Sequence, residues 1–459
     1  MGSEWNEQRL EDCMDAIIDY RGKTPKKTGC GVPLITAKII KKGRILPVSE
    51  YIAEEDYEDW MRRGIPLTGD VVLTTEAPLG EVAQLDGRKI ALAQRVITLR
   101  GKEDFLDNTF LKYLLMSHDV QHQLDGRGTG TTVKGIKQSE LREVMLIFPE
   151  FGEQKAIAHV LGALDDRIEL NRRMNETLEA MAQALFKGWF VDFDPVIDNA
   201  LARGKEIPED LRERAAARAA LGDKRKPLPE EIRTLFPDEF TLSDELGWIP
   251  EGWEVKDLPD VIDFLEGPGI RNWQYTDDED GIKFINIRCI QNGDLKLDTA
   301  NKLTREEAFG KYVHFQLSVD DIVISTSGTL GRYAFIRNSH LPLSLNTSVI
   351  RFRKIEGIST LHYIAGYVET KLQRELEMRA TGSAQLNFGP MHLKQIKMLV
   401  PAIQLLEVHN ADAHNIFRKR QSNLDNIDLL TNLRDTLLPK LISGELRIPD
   451  AEKMVEELN

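Results

Sequence analysis

The sequence predicts an α+β chain: two similar α/β units in tandem, each followed by a long helix, with the two helices paired as a coiled coil. Two observations carry this. The first is a heptad pattern from Phe151 to Trp189, a stretch with no interior Pro. Its a/d positions are Ile157, Leu161, Leu164, Ile168, Asn171, Asn175, Leu178, Ala182, Leu185 and Trp189, spacing that packs a helix along a partner. The rod would be roughly 50 Å long. The second observation is that a shift of 252 residues finds the partner in the same chain: Ala413, Ile416, Arg420, Asn423, Ile427, Leu430, Arg434, Leu437 and Leu441. The shift also carries Asn171 onto Asn423 and Pro149 onto Pro401. A repeat of this length defines the architecture. A buried polar pair is satisfied in one alignment only, so the seam Asn residues fix register. Asn171 and Asn423 are expected to meet each other, or each to meet the other helix's polar seam residue.

The globular parts repeat too. Residues 1–150 form the first unit and 253–402 the second, with long helices at 151–191 and 403–446, a linker at 192–252 and a tail at 447–459. In the first unit Pro33–Ile39, Asp70–Thr75, Arg95–Leu99 and Val144–Phe148 read as strands, and Asp107 caps a helix carrying Phe110, Leu111, Leu114 and Leu115. Ile282–Ile290, Asp321–Thr326, Ser348–Phe352 and Met398–Val400 follow in the same order in the second, with a helix from Thr360. Trp5 matches Trp253, and GDVVLTTEAPLGEVA matches DDIVISTSGTLGRYA. The segment between the units is rich in Pro and charge and reads as a linker with some structure.

Composition describes an ordinary soluble protein: 459 residues, 41% hydrophobic, 29% charged. No apolar run of membrane-spanning length occurs and the start lacks a secretory h-region, so a cytoplasmic protein with no membrane partner is expected. Three Cys are too few for a disulfide framework. A net charge of −14 argues against non-specific coating of nucleic acid but leaves room for local basic clefts.

Catalytic signals are missing. The run Gly126–Lys134 lacks the Gly-Lys-Ser/Thr ending of a phosphate loop. No Asn-Pro-Pro-Tyr tetrapeptide of amino-methyltransferases occurs, nor any metal-spaced His/Cys/Asp cluster. No catalytic residue and no metal site is expected on this chain. Basic residues at turns and strand ends, interleaved with small polar donors, suit DNA instead: cations neutralise phosphates, while Arg, Asn, Gln, Ser and Thr read base edges. In the first unit the candidates are Lys38, Thr74, Thr75, Arg95, Arg127, Thr129, Lys134 and Lys137. In the second they are Arg288, Ser325, Thr326, Ser327, Arg332, Asn346, Thr347, Arg379, Ser383, Gln385 and Asn387. Arg271, Arg337, Arg351 and Arg353 belong to the same basic set. Two other readings stay open: a scaffold that never touches DNA, and a stand-alone nuclease.

A resemblance narrows these. Phe151-Gly152-Glu153-Gln154-Lys155 opens the first helix, and Leu185 to Phe193 (LFKGWFVDF) closes it. Leu246 to Trp253 (LGWIPEGW) enters the second unit, and Leu438 to Leu446 (LPKLISGEL) closes the second helix. With the tandem plan, these stretches resemble the specificity subunits of type I restriction–modification systems. One departure is Leu405-Leu406, where a second Glu-Gln pair belongs. The resemblance implies two target recognition domains separated by an antiparallel two-helix coiled coil, each reading half of a bipartite double-stranded DNA target. It implies two methyltransferase subunits as partners, with S-adenosylmethionine for adenine methylation, and restriction/translocase subunits using ATP and Mg. The chain itself is then expected to be a non-catalytic subunit that carries no cofactor. With the rod length above, about 5–8 unspecified base pairs are expected between the half-sites.

Overall fold

A computed structural model describes residues 5–20, 24–130, 133–225, 227–291, 293–327, 331–379 and 388–457. Two compact units emerge: residues 1–171 with 426–459, and residues 172–425. Among the described residues no helix is long and apolar enough to cross a membrane.

The first unit is built on a four-stranded antiparallel sheet in the order Met14–Asp19, Val96–Gly101, Val71–Thr75, Leu79–Gln84. Its β-branched central strands are buried on both faces: all five residues of Val71–Thr75 are inside, the pattern of a covered strand. The helix Asn108–Met116 is started by Asp107, whose carboxylate accepts from the Phe110 N–H at 2.9 Å. A ribbon of Asn6–Arg9 against Met145–Phe148 closes the unit.

The second unit repeats this order. Ile262–Glu266, Val349–Lys354, Ile322–Ser325 and Tyr333–Phe335 form its antiparallel sheet, and Glu254–Asp257 pairs with Lys397–Val400. The repeat extends to an ion pair on a buried carboxylate. Arg100 grips Asp70 through two hydrogen bonds of 2.8 Å, and Arg353 grips Asp321 at 2.6 and 2.7 Å. Each carboxylate also accepts a backbone N–H three residues upstream, from Leu67 and Ser318, both at 2.8 Å.

Residues 192–252 fold onto the second unit. Helices Asp194–Arg203 and Arg212–Ala220 and the hairpin Phe240–Ser243/Gly247–Pro250 occupy this stretch. Val196, Phe236 and Ile249 share one core with Trp189, Phe190 and Trp253.

The long helices are Phe151–Phe190 and Ile403–Ile442, 40 residues each and about 60 Å at helical rise. Within the first unit Leu161, Leu164 and Ile168 are buried, as are Ile427, Leu430 and Leu437. Arg434 donates to Asp165 at 2.8 Å. Within the second unit Arg420 lies 3.3 Å from Glu179, and Asn423 donates to Asn175. In the second unit rising numbers on one helix thus meet falling numbers on the other, so the pairing there is antiparallel. Leu178, Leu185 and Asn171 are half-buried. Ile416 is half-buried as well, and the seam position beside it is taken by Phe417, which meets Phe335 edge-on at 4.4 Å between centroids. Gly366 permits a close helix approach, since a Cβ there would sit 2.2 Å from the Phe186 ring.

The Glu-Gln departure has a structural meaning. Gln154 is buried and accepts from the Asp107 N–H at 3.0 Å while donating to the Phe105 and Pro149 carbonyls at 3.0 Å. At the equivalent point Leu406 fills the core of the second unit with carbon alone.

Candidate nucleic-acid interface

In the first unit the chain brings three distant segments to one end of the central sheet. The Thr75 N–H donates to the Arg95 carbonyl at 2.9 Å, and the Thr75 carbonyl accepts from the Ile136 N–H at 2.9 Å. Thr129 and Gly135 exchange backbone hydrogen bonds of 2.8 and 2.9 Å, which closes the loop that follows the helix His118–Arg127. Gly130 makes this turn possible: its φ is +115°, and a Cβ would lie 2.2 Å from the Val133 carbonyl oxygen. The ribbon Ile40–Lys41/Arg44–Ile45 lies alongside, bridged to the sheet at Gly43 and Ala83.

The second unit reproduces the arrangement. The Thr326 N–H donates to the Ser348 carbonyl at 3.0 Å, and the Thr326 carbonyl accepts from the Phe388 N–H at 3.1 Å. The ribbon Ile290–Gln291/Asp294–Leu295 is bridged to the sheet at Gly293 and Ala334. Arg95 and Ser348 occupy equivalent points, and both are left-handed, with φ of 74° and 65°. Side chains rarely hold that conformation unless the surroundings impose it. Here the flanking sheet bonds impose it twice.

The candidate side chains divide by burial. Lys38, Arg95, Thr129, Lys134 and Lys137 are exposed, and Arg127 is half-buried. Their acidic neighbours are loose: Glu76 lies 3.6 Å from Arg95, Glu140 3.7 Å from Arg127 and Asp125 3.2 Å from Lys134. Surface pairs of this kind are worth about 0–1 kcal/mol, so phosphate can displace the carboxylate at small cost. In the second unit Arg288, Arg332 and Thr347 are exposed, Ser327 is half-buried, and half-buried Arg379 pairs with Glu375 at 2.5 Å. Ser383, Gln385 and Asn387 lie outside the described residues.

Other expected readers sit inside. Thr74, Thr75, Ser325, Thr326 and Asn346 are buried. Thr74 Oγ1 accepts from the Glu81 N–H at 2.9 Å, and Asn346 Oδ1 accepts from the Ile270 N–H at 3.2 Å. These residues shape the edge rather than line it. Three of the basic set are also internal partners. Arg337 is 2% exposed and bound to Asp294 and Asp425, Arg351 meets Asp263 at 2.5 Å, and Arg353 holds Asp321. Burial, and then the neighbouring Arg353 charge, lower the Arg351 pKa. Sequence reasoning passed over Trp273, which is 79% exposed. Its signal was a lone indole between Gly-Pro-Gly and a polar turn. Among the described residues no group of three or more His, Cys, Asp or Glu is placed to hold a metal ion.

Comparison with known proteins bears on this geometry. The profile of the family described as "Type I restriction modification DNA specificity domain" matches residues 2–180 and 250–437. The MjaIX specificity subunit of Methanocaldococcus jannaschii is 24% identical, over 97% of this chain and 94% of that one. The HindI specificity subunit of Haemophilus influenzae is 27% identical, over 73% and 77%. In three dimensions the chain is similar to a type I restriction–modification S subunit from M. genitalium, with a TM-score of 0.54 and 16% identity over 96% of each chain. That likeness shows a shared fold, and the profile covers well over half of the sequence: the chain belongs to the family of type I restriction–modification DNA specificity domains.

Proposed function

We propose that this chain is the specificity subunit of a type I restriction–modification complex and reads a bipartite double-stranded DNA target, one half-site per unit. The observation that carries the reading is the duplicated edge. The same three backbone segments meet at Thr75 and at Thr326, with exposed cations around each. A duplicated reader fits a target in two parts. Long cations fix register on phosphates, and the side chains on each edge meet base edges.

Chemistry then belongs to partners. Two methyltransferase subunits would bring S-adenosylmethionine and methylate adenine, while restriction/translocase subunits would use ATP and Mg. The chain would contribute the address and work in the cytoplasm. The domain limits of the reading are 1–150 and 253–402 for the target recognition domains, with the long helices between and after them.

The test reconstitutes the chain with its methyltransferase subunits and measures methyl transfer to target DNA. Charge reversal at Arg95, Lys134 and Lys137 should reduce the slope of log affinity against log salt by about 2–3. An unchanged slope and unchanged methylation would remove the DNA role of this edge.

A further inference from the structure

The loop 267–276 of the second unit is pinned at two buried points and presents an indole to solvent between them. Ile270 is 5% exposed and Gln274 6% exposed, while Trp273 between them is 79% exposed. The anchoring is specific. Gln274 Nε2 donates to Tyr312 OH at 2.9 Å and to Glu307 at 3.1 Å, and its Oε1 accepts from the Arg271 N–H at 3.1 Å. Tyr275 packs on Phe284 with centroids 5.2 Å apart. Gln274 and Tyr275 thus anchor the turn just after the indole, which itself stands in solvent. A large apolar ring held in water by a rigid turn is a contact waiting for a partner.

The loop's position says which partner. The Thr347 N–H donates to the Pro268 carbonyl at 2.8 Å, and the Gly267 N–H donates to the Val349 carbonyl at 3.0 Å. The Asn346–Ser348 turn to which the loop is tied is the one that bonds Thr326 at the candidate edge. Trp273 therefore belongs to a loop tied to the edge that would face DNA, with exposed Arg271 two residues before it.

We infer that Trp273 is a specificity-determining residue whose indole packs against bases of the half-site read by the second unit, with Arg271 on the adjoining backbone. This rests on the DNA reading above and deepens it. Against a duplex an indole can pack on a thymine methyl in the major groove or wedge between base steps, and it makes neither contact with phosphate. Its energy therefore goes into base contact, not backbone retention.

The test uses the full chain with its methyltransferase subunits and S-adenosylmethionine. Trp273→Ala and Trp273→Phe are compared with the parent on the target and on variants substituted at each base pair of either half-site. Unfolding temperatures confirm that both variants fold. The expected result is a loss of about tenfold or more in discrimination at positions of one half-site, with the other half-site unaffected and partial recovery by Trp273→Phe. Discrimination equal to the parent's, or an even loss on all DNA including unrelated sequence, would overturn the inference and leave the general reading standing. A parent complex that discriminates at neither half-site would sink the proposed function, and this inference with it.

Discussion

Asn423 Nδ2 donates to Asn175 Oδ1 at 2.9 Å, and Asn175 Nδ2 passes the chain on to the Arg420 carbonyl at 3.2 Å. Of the two arrangements expected for Asn423, the structure takes the one with the other helix's polar seam residue. The Asn423 side chain is buried, and the Asn175 oxygen is the partner its amide N–H finds there. Removing one partner strands a buried polar group; removing both does not. Asn175→Ala, which leaves buried Asn423 without its partner, should lower stability by about 1–2 kcal/mol, whereas Asn175→Leu with Asn423→Leu should raise it by about 1 kcal/mol and loosen register. Chemical denaturation of the three chains checks the order.

Asp165 gathers a buried cluster in the first unit. Lys112 lies at 2.6 Å, Tyr113 OH at 2.7 Å and Arg434 at 2.8 Å. Burial alone would raise the Asp165 pKa, but Lys112 and Arg434 together hold it below the ordinary carboxylate value. A depressed carboxylate stabilises the fold above its unfolded pKa near about 4 and loses that contribution as pH falls through the folded value. Asp165→Asn removes the acid that faces buried Lys112 and leaves Arg434 only the exposed Asp435, and should cost about 3 kcal/mol at neutral pH. Denaturation at pH 7 measures it.

Arg95 separates function from stability. Its left-handed backbone, φ 74°, carries strain that glycine would release. Its nearest acid, Glu76 at 3.6 Å, is exposed and offers little in return. Arg95→Gly should therefore raise stability by about 1 kcal/mol while weakening target binding. Paired thermal unfolding and DNA titration read both effects.

Two histidines set the acid limit of the second unit. Burial first, and then the charge of a neighbouring histidine, lower His409 to about 3 and His362 to about 4. His409 faces the rings of Phe186, Trp189 and Phe190; His362 faces His414 and Phe417. Unfolded histidine takes a proton near pH 6.5, so between about pH 6.5 and 4 the unfolded chain binds more protons. Stability should fall as pH falls through that window, by up to about 2.7 kcal/mol per unit for two groups. His409→Leu should halve the slope in unfolding measured from pH 7 to 5.

Much of this architecture was legible because long helices and repeats announce themselves. At Ile416, half-buried like Asn171, Leu178 and Leu185, the buried place goes to the neighbouring Phe417, which meets the sheet residue Phe335. The site was harder to read. Val71–Thr75 is covered on both faces, so alternation gave no sign that Thr74 and Thr75 point inward. Arg337 looked like a surface cation because its partners, Asp294 and Asp425, are remote in sequence. Trp273 went unremarked because a lone aromatic is ordinarily core, and only the anchored loop shows that this one is not.

The measurement closest to the central claim maps every methylated adenine on genomic DNA exposed to the chain, its methyltransferase subunits and S-adenosylmethionine. It is repeated with residues of roughly 20 to 145 exchanged for those of a relative that reads a different target. A two-part motif whose one half changes and whose other half stays is the predicted result. A motif that changes in both halves, or in neither, would contradict the assignment of one half-site to each unit.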